Sequence, residues 1–415
     1  MSNLNTDGQD ARAVPDPDIV FRRLPDGQGR PGEVGVHLLL HGRPISTCAI
    51  VPLTLRIGAA TVRMDGIGMV GTLPRYRGRG YARRLLTAAL AHMAAGDAAL
   101  SMLYGIANFY LQFGYTAAGP EYTLSVPLTG PALPLAAGWQ VRPALSADLP
   151  ALQRLYERNT AGAVGVVVRA PGRYPWTKLA RLSPADLAGA CRVVVDPQGA
   201  VAAYAWGDRE SWFTRQVTEA HPHSLALAEV VARDAPAADA VLAACRDWAV
   251  EEAQARGVPL RAVVLALPPA GPVAAAARHG PVTFQQQYST ASGFMVRVLH
   301  TGRLLAALAP ELERRLRTAR PVARGTLRLE TDAGNVTLHF AAAGLAVEES
   351  APARAPGEGM VVRLPQATLA RLALGAYTPA DLLARLEPPP TGPTRALLEA
   401  LFPLRHPHLS LPDRF

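Results

Sequence analysis

Residues 66–82 read Gly66-Ile67-Gly68-Met69-Val70-Gly71-Thr72-Leu73-Pro74-Arg75-Tyr76-Arg77-Gly78-Arg79-Gly80-Tyr81-Ala82. An apolar run carrying glycines is stopped by a proline and gives way to an Arg/Gly turn. Beyond it, apolar residues recur at Ala82, Leu85, Leu86, Ala89, Leu90 and Met93 up to Gly96-Asp97, the spacing of one helix face. A strand therefore feeds a helix through a glycine-rich turn. Backbone N–H groups at such a turn point outward at the positive end of the helix dipole, an arrangement that binds phosphate. Arg75, Arg77, Arg79, Arg83 and Arg84 add positive charge for a polyanionic ligand. A Walker loop would need a terminal Lys-Ser/Thr, and the chain's one lysine, Lys178, lies far downstream. Gly66-Ile67-Gly68-Met69-Val70-Gly71 spells a dinucleotide fingerprint, but it opens no helix and has no acidic residue about 20 positions on, so the match is accidental. Glycines inside a strand instead mark a bulge, or a backbone that something approaches closely.

Working outward, residues 19–21, 35–40, 49–57 and 60–64 read as strands before the 66–73 strand; residues 98–104 form another, 107–113 a short helix and 122–126 a closing strand. A proline-rich linker, 127–138, follows. The next stretch has a strand at 139–142, a Ser146-capped helix over 147–158, a hairpin around Pro197-Gln198-Gly199, a strand at 225–231, a helix at 237–255, a strand at 261–267 and a helix at 270–278. That order repeats the first block and implies a diverged duplicate. From about Met295 the pattern changes to a strand, an Arg-rich helix over 303–318, a hairpin turning at Asp332-Ala333-Gly334-Asn335, and short helices at 366–374, 379–385 and 395–401. The expected organisation is a flexible tail over 1–16 and domains at 17–130, 138–292 and 293–415, the last of them α+β.

The composition sets the outer limits. At 415 residues, two or three domains of about 150 residues are expected. With 49% hydrophobic and 18% charged residues the chain has the balance of one that builds a core. The formal charge of +9 comes from 41 arginines and one lysine against 33 acids, an excess that reads as compositional bias. Cys48, Cys191 and Cys245 stand far apart, outside any CxxC pair, which fits neither a disulfide framework nor a zinc site. Neither a signal peptide nor an apolar run of about 18 residues is present, so a cytoplasmic protein without a membrane span is expected.

Arg77-x-x-Gly80-x-Ala82 after a strand, followed about 28 residues later by Asn108-Phe109-Tyr110-Leu111-Gln112-Phe113-Gly114-Tyr115, resembles the GNAT acetyltransferases. The wider layout resembles the Eis (enhanced intracellular survival) group, with tandem GNAT folds of mixed, largely antiparallel sheets flanked by helices and a C-terminal domain similar to a sterol carrier protein. The resemblance implies acetyl-CoA as co-substrate and no metal. It puts thioester and pantetheine contacts on Val70, Gly71 and Thr72, pyrophosphate on Arg77, Gly78, Arg79, Gly80, Tyr81 and Ala82, and a further cofactor contact on Asn108. Tyr110 matches the motif's tyrosine, a general acid for the leaving thiolate. The Phe415 carboxylate is the implied base, directly or through water. Bland rivals are a core tyrosine at 110 and a frayed end at 415. Gly105 stands where the group has a serine. The second block has Ala232-Arg233-Asp234-Ala235-Pro236 at its equivalent turn, where an acid should repel pyrophosphate, so one acetyl-CoA site per chain is expected.

The implied acceptor is a small-molecule or peptide amine, such as an aminoglycoside, polyamine or lysine, and the implied assembly is a homohexamer built from trimers. His37 and His41 lack a HExxH setting and read as strand and hairpin residues, and His406 and His408 as surface residues beside Pro407. Tyr115, Trp206, Trp212 and Phe213 read as packing residues, with an acceptor-groove floor as the rival for the last three. The alternative function is a non-catalytic protein that binds lipid or an anionic surface through its C-terminal domain. No aromatic-interleaved basic strand or recognition helix supports nucleic-acid binding.

Overall fold

A computed structural model describes residues 18–25, 30–129, 135–319, 325–341, 344–349 and 359–415. The expected tail, 1–16, and part of the 127–138 linker lie outside the described residues. The first block builds β1 (Asp18–Arg23), β2 (Val34–Leu40), β3 (Arg43–Ile57), β4 (Ala60–Thr72), α1 (Tyr81–Ala95), β5 (Leu100–Gly105), β6 (Thr116–Ala117) and β7 (Glu121–Pro127). The two strands expected over 60–64 and 66–73 are one continuous β4, because β3 runs to 15 residues and pairs with it along its length. The register shifts between Thr47 and Ala49, so Met69 and Val70 together oppose Cys48. This is a β-bulge, with Met69 at φ 51°.

Sheet membership crosses the expected domain boundaries. The first sheet runs β1-β2-β3-β4-β5, then strand Gly293–Val298, then β6, with Val164–Val167 added beside β3. β7 leaves for another sheet, where it lies between strands Ala262–Leu265 and Thr283–Gln287. The first block thus gives β7 to the second block's sheet, and its own sheet takes Val164–Val167 from the second block and Gly293–Val298 from the start of the third. β7 pairs antiparallel with 262–265 as 293–298 pairs antiparallel with β5. Local pattern carries no information about such a partner, since either strand buries apolar side chains whichever sheet it joins.

In the second block the 225–231 strand is two, Ser224–Leu227 and Glu229–Ala232, which break at Ala228 and enter different four-stranded sheets. The helix expected to be capped by Ser146 starts with a 3-10 turn, Ser146–Asp148, and continues as Leu149–Thr160. The Asp148 carboxylate, not the serine, accepts the Leu145 N–H at 2.8 Å and also binds Arg142. The last block packs helix Thr301–Ala319 against β4 and against a sheet of strand order 344–349, 334–341, 325–331, 360–363. Glu311 on that helix is fully buried and accepts from Arg314, Arg315 and the Ala59 N–H of the β3–β4 turn. Burial disfavours its charge, but these donors outweigh that and bring its pKa down to about 2. Arg317 also pairs with Glu313, so Arg314, Arg315 and Arg317 are engaged in intrahelical ion pairs, while Arg303 donates to the Gly96 carbonyl.

Candidate active site

β4 and β5 pair in parallel only from Met64/Leu100 to Gly66/Met102. Past Gly66 the strands part, and β4 continues along β3 with its other edge open. Leu73 sends its N–H back to Ile45 on the β3 side at 2.9 Å, so by alternation the Thr72 N–H faces the open edge. The Gly71 carbonyl accepts from Ser46 Oγ at 3.1 Å, and Ser46 and Thr72 hydroxyls lie 2.8 Å apart. Arg77 Nε closes the end of the strand on the Thr72 carbonyl at 3.1 Å.

The turn into α1 has the conformation its glycines require. Gly78 and Gly80 sit at φ 74° and 79°, Gly80 is the N-cap, no side chain caps the helix and no acid lies in its first turn. A Cβ on either glycine would meet nothing within 4 Å, so the turn is open on its outer side. Arg75, Arg77, Arg79 and Arg83 are exposed around it, and Tyr81 and Ala82 are half-buried. The second block's turn differs physically. Asp234 caps the helix Ala235–Arg256 by accepting the Ala237 N–H at 3.0 Å, and Arg233 binds both Asp234 and Asp196. A carboxylate already occupies the positive end of that helix.

Tyr110 opens the 3-10 turn Tyr110–Phe113, is 7% exposed and packs edge-on against Phe109 and Tyr115. Burial, with the nearby Cys48, pushes its phenol up to about 12. Tyr115 packs, as expected, with its hydroxyl 2.6 Å from Ser101 Oγ. Asn108 is exposed in a left-handed conformation, φ 62°, with its N–H bonded to the Ala291 carbonyl. At Gly105 a Cβ would meet Met295 Sδ at 2.5 Å and the Tyr110 ring at 3.0 Å, so a serine there requires these side chains to move.

Phe415 lies on the face of β4 opposite Ile67 and α1. A Cβ built on Gly66 would meet its ring carbons at 2.2 Å, and one on Gly68 would meet its carboxyl carbon at 3.0 Å. The glycines of β4 therefore do admit a close approach, and what approaches is the last residue of the chain. Arg30 Nη1 donates to the Asp413 carbonyl at 2.7 Å and Nη2 to that of Arg414, with the guanidinium 5.8 Å from the Phe415 ring. Arg414 binds Glu121 at 2.6 Å and lies over Tyr104. Asp413 is 1% exposed and paired with the buried Arg169 at 2.9 Å, while Arg169 also holds Glu229 at 2.5 Å. Burial opposes the Glu229 charge, but Arg169 with Ser410 and Tyr204 holds that carboxyl below its ordinary pKa. Burial alone would neutralise such groups; mutual pairing keeps the segment fixed. None of Arg30, Arg169, Glu229 or Asp413 carries a sequence signal, since their partners lie dozens to hundreds of positions away.

A cleft of about 840 Å³ runs from Gly68, Met69 and Phe415 to residues 172–182 of the second block. Trp206 is core at 1% exposure, whereas Trp212 is 55% exposed and Phe213 packs against Tyr104 with the rings tilted and their centroids 5.3 Å apart, at the junction of the blocks. His406 is exposed as expected, but His408 is half-buried against Tyr122. His37 lies on β2 and His41 in the tight turn after it. The three cysteines are buried and free, and among the described residues no cluster of His, Cys, Asp or Glu is arranged to hold a metal. No described helix is long and apolar enough to cross a membrane.

Residues 34–118 match the acetyltransferase (GNAT) domain family. No curated protein matches the chain. Among solved structures it is similar to a GCN5-related N-acetyltransferase from Anabaena variabilis, with 20% identity and a TM-score of 0.64 over 92% of this chain and 89% of that one. A GCN5-related N-acetyltransferase from Kribbella flavida gives 22%, 0.61, 92% and 88%. Eis1 from Mycobacterium abscessus gives 17%, 0.60, 93% and 90%. At these identities the likeness is one of fold. The chain thus has a mixed α/β fold with GNAT-like sheets flanked by helices, carries a GNAT acetyltransferase domain, and is an acyltransferase.

Proposed function

We propose that this chain, with a GNAT domain whose strands part at Gly66, is an acetyl-CoA-dependent N-acetyltransferase acting on a primary amine by direct attack, with Tyr110 as general acid and the Phe415 carboxylate as general base. The observation that carries the reading is the seat of Phe415 on Gly66 and Gly68, at the point where β4 and β5 separate. In the reading, the open edge at Val70, Gly71 and Thr72 receives the thioester and pantetheine, and Asn108 adds a contact. The turn Arg77, Gly78, Arg79, Gly80, Tyr81 and Ala82 takes the pyrophosphate on free N–H groups and arginines. The Phe415 carboxylate accepts a proton from the attacking nitrogen as the N–C bond forms. The thiolate released as the C–S bond breaks takes the proton of the Tyr110 phenol, which its surroundings keep protonated. The aminoglycoside, polyamine or lysine acceptors, the Eis group, the sterol-carrier-like last domain, the homohexamer and the cytoplasmic location belong to the same reading through resemblance.

The test is calorimetry with acetyl-CoA, followed by thiol release with a panel of amines. Acetyl-CoA binding and amine-dependent release of CoA are expected. Residues appended after Phe415 should lower turnover without lowering acetyl-CoA affinity, and a fully active extended chain removes the carboxylate as base.

A further inference from the structure

The cleft that ends on the Phe415 carboxyl group is lined by four cations, Arg30, Arg173, Lys178 and Arg181. Two are committed elsewhere. Arg30 holds the carbonyls of Asp413 and Arg414, and Lys178 is paired with Asp208. Arg173 and Arg181 are exposed and have no ion-pair partner among the described residues. The adjoining groove, of about 600 Å³, shares Arg30 and Arg173 and adds Arg23 and Arg63 with no aspartate or glutamate in its lining. Arg63 faces Asp97; Arg23 is exposed without an ion-pair partner among the described residues.

The acids of the cleft stand differently. Glu210 is exposed, and Glu33 is only 3% exposed. One oxygen of Glu33 accepts the Arg30 N–H at 2.8 Å, while the other is buried without a partner. A buried carboxylate oxygen lacking a donor is costly and fits a site that receives an N–H from outside the chain. Cations gathered along a concave wall raise a positive potential that repels polycations and attracts anions, and guanidinium groups match carboxylate and phosphate oxygens.

From this distribution we propose that the acceptor is a small amine that also carries an anionic group, carboxylate or phosphate, with its nitrogen toward Phe415 and Glu33 and its anionic end toward Arg173 and Arg181. The inference rests on the N-acetyltransferase reading and narrows its acceptors away from polyamines and aminoglycosides. The chemistry is unchanged. Nitrogen bonds to the acyl carbon, the C–S bond breaks, the Phe415 carboxylate takes the nitrogen's proton and Tyr110 supplies one to sulfur.

Matched amines separate the possibilities, using the full chain and a thiol-release assay. γ-Aminobutyrate and aminopropyl phosphate should exceed butylamine, and butylamine should exceed putrescine and an aminoglycoside, each step in kcat/KM being about tenfold or more. The double variant Arg173→Glu/Arg181→Glu should invert that order while still binding acetyl-CoA, which shows that it has folded. Equal rates across the series, or a lead for putrescine or the aminoglycoside, overturn this inference and leave N-acetylation standing. Acetyl-CoA binding with no amine acetylated overturns both.

Discussion

The phenyl ring of Phe415 occupies the volume a side chain at Gly66 would need, the two residues meeting across a separation of most of the chain. The glycines at 66 and 68 thus leave the room that Phe415 fills. Gly66→Ala forces the ring to move, because a Cβ cannot stand 2.2 Å from its carbons. Turnover should fall about tenfold to a hundredfold through misplacement of the carboxylate, with acetyl-CoA affinity retained. Steady-state rates beside calorimetry check this; full turnover in the variant would detach Phe415 from the chemistry.

Tyr110→Phe keeps the aromatic packing against Phe109 and Tyr115 and removes only the hydroxyl. A general acid so removed costs about a hundredfold or more in kcat. Because burial raises the phenol to about 12, the wild-type enzyme should hold its acid-form activity to higher pH than an ordinary phenol allows. Single-turnover rates across pH, compared between the two proteins, measure both effects.

Gly105→Ser should destabilise the protein by about 1–3 kcal/mol, since the new Cβ meets Met295 Sδ at 2.5 Å and the Tyr110 ring at 3.0 Å. Urea unfolding gives the size. An unchanged midpoint would mean that the β5 to 293–298 contact gives way freely.

Glu311→Gln should cost about 3 kcal/mol at neutral pH, because it leaves Arg315 buried with its partner neutralised. The carboxyl's folded pKa, about 2, lies below its unfolded value. Its contribution is therefore fully present above the unfolded pKa and disappears as pH falls toward 2. The stability gap between wild type and variant should close over that acid range, and a gap independent of pH would assign the loss to packing.

What the sequence makes legible is local. The strand, the Gly78/Gly80 turn and α1 can be read from spacing, because each depends on neighbours a few residues away. Asp234 at the second block's turn is equally plain as an acid that repels pyrophosphate, and the fold adds that its carboxylate caps the helix. The departure of Glu121–Pro127 and the arrival of Gly293–Val298 are invisible, since apolar alternation names a buried face and no partner. The same holds at the candidate site. Gly66 and Gly68 announce a close approach, but only the fold shows that Phe415 makes it. Arg30, Glu33, Arg169 and Asp413 look like any exposed charges until burial brings them together.

The strand taken from the third block also limits how this enzyme can be divided. The acetyltransferase match ends at residue 118, yet β5 reaches its second neighbour only when Val298 pairs back to Leu100. A fragment cut at that point would present β5 as a bare hydrophobic edge, open to pairing with other copies. It would also lack the segment that fills the cradle over Gly66. Closing so distant a contact has a large entropic cost before any burial compensates, so the catalytic sheet should be among the last parts to consolidate during folding. A minimal version for engineering therefore has to be sought by grafting a strand onto β5, and trimming the chain back to the matched residues 34–118 would yield aggregates.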